Sequence, residues 1–148
     1  MASLPEQLSS EKRQAVIDDA VKVLDQEVGD KSGITGIAIK SAYKVVQGIK
    51  PGFIRQVVDA LLDEFLTALD PVYQEAAANK RPAGAYLVEQ KSRVADALLA
   101  VTDARAKKTD SSIIKGTYDK LRSLAKKQVE AAAPRLASLI EKHAAPTA

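Results

Sequence analysis

FIRQVVDALLDEFLTAL, residues 53–69, decides the fold. Phe53, Ile54, Val57, Val58, Leu61, Leu62, Phe65, Leu66 and Leu69 recur at the three-to-four spacing of an α-helix. Together they cover more than half of its circumference. A helix apolar over that width belongs in the middle of a core. The spacing predicts burial of Phe53, Val57, Leu61 and Phe65. Pro51 suits the first turn. Asp70-Pro71 reads as a cap and the start of a new short helix, to about Ala78.

The flanking sequence is helical too. Upstream, Ser9 or Ser10 can cap a helix carrying Val16, Ile17, Ala20, Val21, Leu24 and Val28 on one face, ended by Gly29. A turn, Gly29-Asp30-Lys31-Ser32-Gly33, leads to a second helix, 34–47, with Ile34, Ala38, Ile39, Ala42, Val45 and Val46 inward. Its small residues, Gly33, Gly36, Ala38, Ser41, Ala42 and Gly48, suit close packing, although Gly36 costs about 1 kcal/mol relative to Ala.

Downstream, Asn79-Lys80-Arg81-Pro82-Ala83-Gly84 is a loop. A helical stretch runs from Ala85 to about Lys107, with a break near Ser92. Another starts at Thr109-Asp110-Ser111-Ser112 and carries Ile113, Ile114, Leu121 and Leu124. Pro134 kinks or restarts it, and a last segment runs to about His143. No stretch reads as a strand. The expected fold is one all-α domain over residues 1–148, a bundle of six or seven helices with mostly antiparallel neighbours. Residues 1–8 and 144–148 are expected to fray.

Composition removes several functions. Of 148 residues none is Cys and one is His, so thiolate chemistry and a two-histidine metal site are excluded within one chain. No apolar run reaches the roughly 18–20 residues of a spanning helix. The N-terminus does not read as a secretory signal, so a cytoplasmic location is the expectation. Aromatic residues are only 4%, which weakens stacking-based recognition of bases. No cofactor is implied.

The net charge is +3, but unevenly spread. Residues 1–75 carry −4 and residues 76–148 carry +7, with the densest cationic run from Arg105 to Lys127. Lys115, Arg122 and Lys126 form a stripe on one helix face that could contact phosphates, with Lys107, Lys108, Lys120 and Lys127 nearby. No helix-turn-helix or basic-zipper signature accompanies it, and a solvated face is the simpler reading. That helix lacks the exposed aromatic and Leu face of an interfacial helix, so lipid contact is disfavoured.

Three further candidates stand against structural alternatives. At the turn before the second helix, Lys31, Ser32, Gly33 and Thr35 could bind an anion through free helix N–H groups. The order is wrong for a phosphate loop, because Lys31 and Ser32 precede Gly33 and no strand leads in. Asp59 and Asp63, at i and i+4 beside Glu64, could act as an acid/base pair or hold a divalent ion, but a solvated face explains them as well. His143 is expected as a surface cation at a helix C-terminus. Arg105 is expected to snorkel or pair, or to line a polar pocket with Thr102 and Asp103.

The segments Lys31-Ser32-Gly33 with Gly36, Lys50-Pro51-Gly52, and Asp96-Ala97-Leu98-Leu99-Ala100-Val101-Thr102-Asp103-Ala104-Arg105 carry a resemblance. From Leu4 to His143 the chain resembles an uncharacterised, actinobacterial-type bacterial family of short helical proteins. The resemblance implies a bacterial source and an all-helical fold, and no activity, cofactor or partner. The functional expectation is a non-enzymatic binding or scaffolding protein, with a protein partner or self-association. Nucleic-acid association through 105–127 is the alternative, and a carboxylate-based enzyme the third reading.

Overall fold

A computed structural model describes residues 1–148 and contains seven helices and no strand. They are α1 (Leu4–Leu8), α2 (Arg13–Asp30), α3 (Gly33–Gln47), α4 (Phe53–Ala78), α5 (Ala83–Glu89), α6 (Lys91–Lys108) and α7 (Ser112–His143). The all-α bundle expected from the periodicity is what forms. Ion pairs join α2 to α4 (Arg13 with Asp59 and Asp63, and Asp18 with Arg55), α4 to α6 (Glu75–Arg93 and Glu64–Arg105) and α6 to α7 (Asp96–Lys126 and Asp103–Arg122). In each pair of helices the numbering runs in opposite directions, the signature of antiparallel neighbours. No helix is long and apolar enough to cross a membrane.

The core is built around α4, but on a different edge from the one the sequence suggests. Val58, Leu62, Leu66, Leu69, Val72, Tyr73 and Ala76 are buried. Phe53, Val57, Leu61 and Phe65 are only half-buried. The apolar arc is wider than the core needs, so a pattern that marks the whole arc cannot say which edge is inside. Against the buried edge pack Val16 and Ile17 of α2, Ala83, Tyr86 and Leu87 of α5, Val94 of α6, and Ala137, Leu139 and Ile140 of α7.

Two prolines sit within continuous helices. Pro71 lies inside α4 and Pro134 inside α7. Each removes one N–H from the ladder. Burial continues across both, however, through Leu69, Val72 and Tyr73 in α4 and through Ala133, Ala137 and Ile140 in α7. Packing therefore outweighs the local signal for a new helix. Asp70 caps no new helix at Pro71: its carboxylate accepts instead from the backbone N–H of Leu4, the first residue of α1, at 2.9 Å. The break expected near Ser92 falls at Gln90 instead, between α5 and α6.

The N-terminal residues, expected to fray, form α1. Ser3 and Glu6 make a reciprocal capping box, and Leu4 and Leu8 are fully buried. The opposite end is tied in beside them. The Tyr73 hydroxyl donates to the carbonyl of Ala145 (2.7 Å), and the Ala145 N–H donates to the side-chain oxygen of Gln7 (2.7 Å). The Gln7 amide in turn donates to the Tyr73 hydroxyl (3.2 Å).

The α2–α3 turn also departs from the sequence reading. Gly29 continues α2 rather than ending it, and Gly33 takes the left-handed conformation, φ +69°. Gly36 lies against the backbone of Lys31, where an added Cβ would sit 2.7 Å from the carbonyl carbon. On α3, Ile39, Ala42 and Val46 face inward with Tyr43, whereas Ile34, Ala38 and Val45, expected inside, are exposed.

Candidate functional site

Two of the three stripe residues pair with the helix beside them, whereas Lys107, Lys108, Lys120 and Lys127 enter no ion pair. Arg122 grips Asp103 with two nitrogens, at 2.8 and 3.1 Å, and Lys126 pairs with Asp96 at 3.1 Å. Lys115 is exposed and enters no ion pair. Asp103 is held below the usual carboxylate range, first by its hydrogen bonds from Arg122 and then by that from Tyr118. The structure thus places these three side chains on one face of α7, with two committed to carboxylates of α6.

The turn before α3 is similarly occupied. Lys31 Nζ lies 3.2 Å from Glu27, and both side chains are mostly covered. Ser32 is the cap residue of α3, but its side chain makes no capping hydrogen bond. The Gly36 N–H bonds to the Ser32 carbonyl. Gly33 and Thr35 are exposed. Lys31, Ser32, Gly33 and Thr35 are therefore neighbours, with the charge of Lys31 directed at α2.

Asp59 and Asp63 both hold Arg13, each at 2.8 Å. Ser9 also donates to Asp63, and these bonds, Ser9 first and Arg13 second, keep Asp63 below its ordinary value. The pair acts as a clamp on the start of α2. His143 is buried rather than a surface cation. Its Nε2 lies 2.6 Å from Asp19, which also receives Lys142 at 2.8 Å. Those two partners, Lys142 first, lower the Asp19 pKa. No group of three or more His, Asp or Glu side chains is placed to hold a metal ion.

These pairings carry a pH signature. A carboxylate whose folded pKa is depressed contributes stability above its unfolded pKa, and loses it as pH falls through the folded value. Asp19, Asp63 and Asp103 all shift in that direction. The thermal midpoint is expected to be flat above about pH 5 and to fall below about pH 4. Asp19→Asn and Asp103→Asn should each flatten part of the fall. An acid limb identical in both variants and the wild type would remove these groups from the account.

A concave feature lies between α4, α6 and the start of α7. It is a groove of about 640 Å³. Val57, Ala60 and Leu61 of α4 line one side, Thr102, Arg105 and Ala106 of α6 another, and Ile114 and Tyr118 of α7 the third. Apolar side chains supply the lining, including the Leu61 edge left out of the core. The rim is polar. Arg105 Nε donates to Glu64 at 3.1 Å, and Lys108 lies free beside it. At the other end the Tyr118 hydroxyl lies 2.7 Å from that of Thr102 and donates to Asp103. Desolvation first, and the hydrogen bond to Asp103 second, raise the Tyr118 pKa above its ordinary value.

Sequence reasoning singled out Arg105 and Thr102 but not the groove. The missing signal was the pairing of surplus apolar width on α4 with Ile114 and Tyr118, 50 to 60 residues away. Chemically the groove offers apolar contact with charge of both signs at its edge, and no nucleophile–base pair lines it.

A family model, described as a family of unknown function (DUF6918), matches residues 4–144. Among curated proteins nothing matches, and among solved structures nothing matches.

Proposed function

We propose that this chain, which belongs to the DUF6918 family of unknown function, is a non-enzymatic binding protein that receives an apolar segment of a protein partner in the α4–α6–α7 groove. The observation that carries this reading is the groove itself, about 640 Å³ with an apolar lining and a charged rim. Helix-in-groove recognition has that composition: apolar anchors fill the floor and charges at the edge set orientation. The ionisable groups support binding over catalysis. Each carboxylate with a displaced pKa is held down by a cation or a donor, away from the raised value a general acid needs near neutrality. The reading takes the protein as bacterial and cytoplasmic, expectations carried from the sequence.

Nucleic-acid association through residues 105–127 is the alternative. It has less to stand on, because Arg105, Arg122 and Lys126 are each engaged by a carboxylate. Phosphates would compete with those carboxylates for the same cations.

Ala60 and Ala104 line the groove and are exposed, so changes there spare the core. A photo-crosslinking residue at Ala104 is expected to trap a protein in the native cytoplasm, with or without nuclease. The same residue at the exposed Ser123 should not, and Ala60→Glu should abolish the adduct. Equal labelling from both positions would sink the groove as a site. An adduct that disappears with nuclease would favour the alternative.

A further inference from the structure

α3 presents a second surface, separate from the groove. At 100° per residue, Ile37, Gly48, Ser41, Ile34, Val45 and Ala38 fall within an arc of about 100°. All six are exposed, with Ile34 at 89%, Ile37 at 68% and Val45 at 50%. Isolated exposed apolar residues are ordinary, but a continuous uncharged ridge on one helix is not. The opposite side of α3 is already engaged, through Ile39, Ala42, Val46 and Tyr43, whose hydroxyl donates to Asp25 at 2.6 Å. The ridge is therefore not an inward face that failed to pack, but a second apolar face.

Along the chain, α3 and its C-terminal flank carry charge of one sign. Between Asp30 and Asp59 the chain carries Lys31, Lys40, Lys44, Lys50 and Arg55, and no acidic residue. Lys31 is paired with Glu27 and Arg55 with Asp18. Lys40, Lys44 and Lys50 form no ion pair; Lys50 lies over the ring of Phe53, 5.8 Å from its centre. Lys40 and Lys44 project beside the Ile37 edge of the ridge, and Lys50 follows the exposed Ile49 just past its end.

We infer that this face of α3 docks on an anionic membrane surface, lying in the plane of the headgroups without crossing. An apolar ridge edged by unpaired lysines matches the acyl boundary beneath and the phosphates above it. A second copy of the chain offers the lysines no carboxylate from its own α3. The groove between α4, α6 and α7 does not reach the ridge. The alternative occupants are outcomes of the test.

Flotation with vesicles of phosphatidylglycerol and phosphatidylcholine tests the inference on the full chain. Binding is expected to anionic vesicles, and to weaken by roughly tenfold or more with phosphatidylcholine alone or after Lys40→Glu with Lys44→Glu. Added salt should weaken it as well. Ile34→Glu with Ile37→Glu should abolish it with helix content unchanged, because both positions are exposed. Ala60→Glu should leave it intact, which separates this surface from the groove. No flotation with anionic vesicles, or flotation unaffected at Ile34 and Ile37, overturns the inference. Absence of flotation with a concentration-dependent dimer lost in the Ile34 and Ile37 variant would assign the ridge to self-association instead.

Discussion

Leu66→Ala is expected to lower the unfolding free energy by about 2–5 kcal/mol, the usual range for truncating a buried leucine. Leu66 is 2% exposed, sits mid-way along α4 and belongs to the main core cluster. α4 packs against α1, α2, α5 and α6, so the space left by the missing atoms is not closed by moving one helix alone. Leu61→Ala, on the half-buried groove edge, should cost distinctly less, because solvent already reaches it and little transfer energy is lost. Denaturant titration of both variants gives the comparison. Equal losses, or a larger one at Leu61, would put the core on the wrong edge of α4 and remove the groove with it.

Gly36→Ala is expected to destabilise by about 1–3 kcal/mol, against the direction that helix propensity sets. Propensity alone favours Ala by about 1 kcal/mol in a helix interior. Here the new Cβ would meet the Lys31 carbonyl carbon at 2.7 Å and its oxygen at 3.0 Å. Both are backbone atoms, so relief requires the whole α2–α3 turn to shift. Gly116, an exposed interior position of α7, is the control: a Cβ there meets nothing within 4 Å. Gly116→Ala should stabilise by about 0.5–1 kcal/mol. If both changes stabilise, the close approach at Gly36 is not a constraint on the fold.

Gly36 also shows where the sequence was silent. Its neighbours announce a helix rich in small residues, and α3 forms where the periodicity puts it. What the glycine avoids is a backbone five residues earlier, and that contact depends on the exit angle of the turn, which no side-chain pattern encodes. The same limit governs α4. Nine apolar positions fix it as central, yet the face that meets the core is selected by which helices arrive around it. Surplus width then becomes the groove wall at Val57 and Leu61. Pro71 and Pro134 misled for the opposite reason: the local penalty is real, but burial on either side outweighs it. The basic stripe was legible as charge along the chain. The pairing of Arg122 and Lys126 was not, since Asp96 and Asp103 lie on another helix and meet them only in the folded state.

The hydrogen bonds joining Gln7, Tyr73 and Ala145 connect three parts of the chain made at different times. Synthesis delivers α1 before α4, and α4 before Ala137, Leu139, Ile140 and Ala144. Until these emerge, the core cluster lacks them as members, and the Tyr73 hydroxyl lacks the Ala145 carbonyl that accepts from it. This closure joins residues far apart along the chain, whereas helical bundles are ordinarily dominated by local contacts. A growing chain would therefore hold native-like helices around an open apolar seam, the kind of intermediate that chaperones shield. Arrival of the end of α7, rather than formation of any single helix, becomes the step that closes the core.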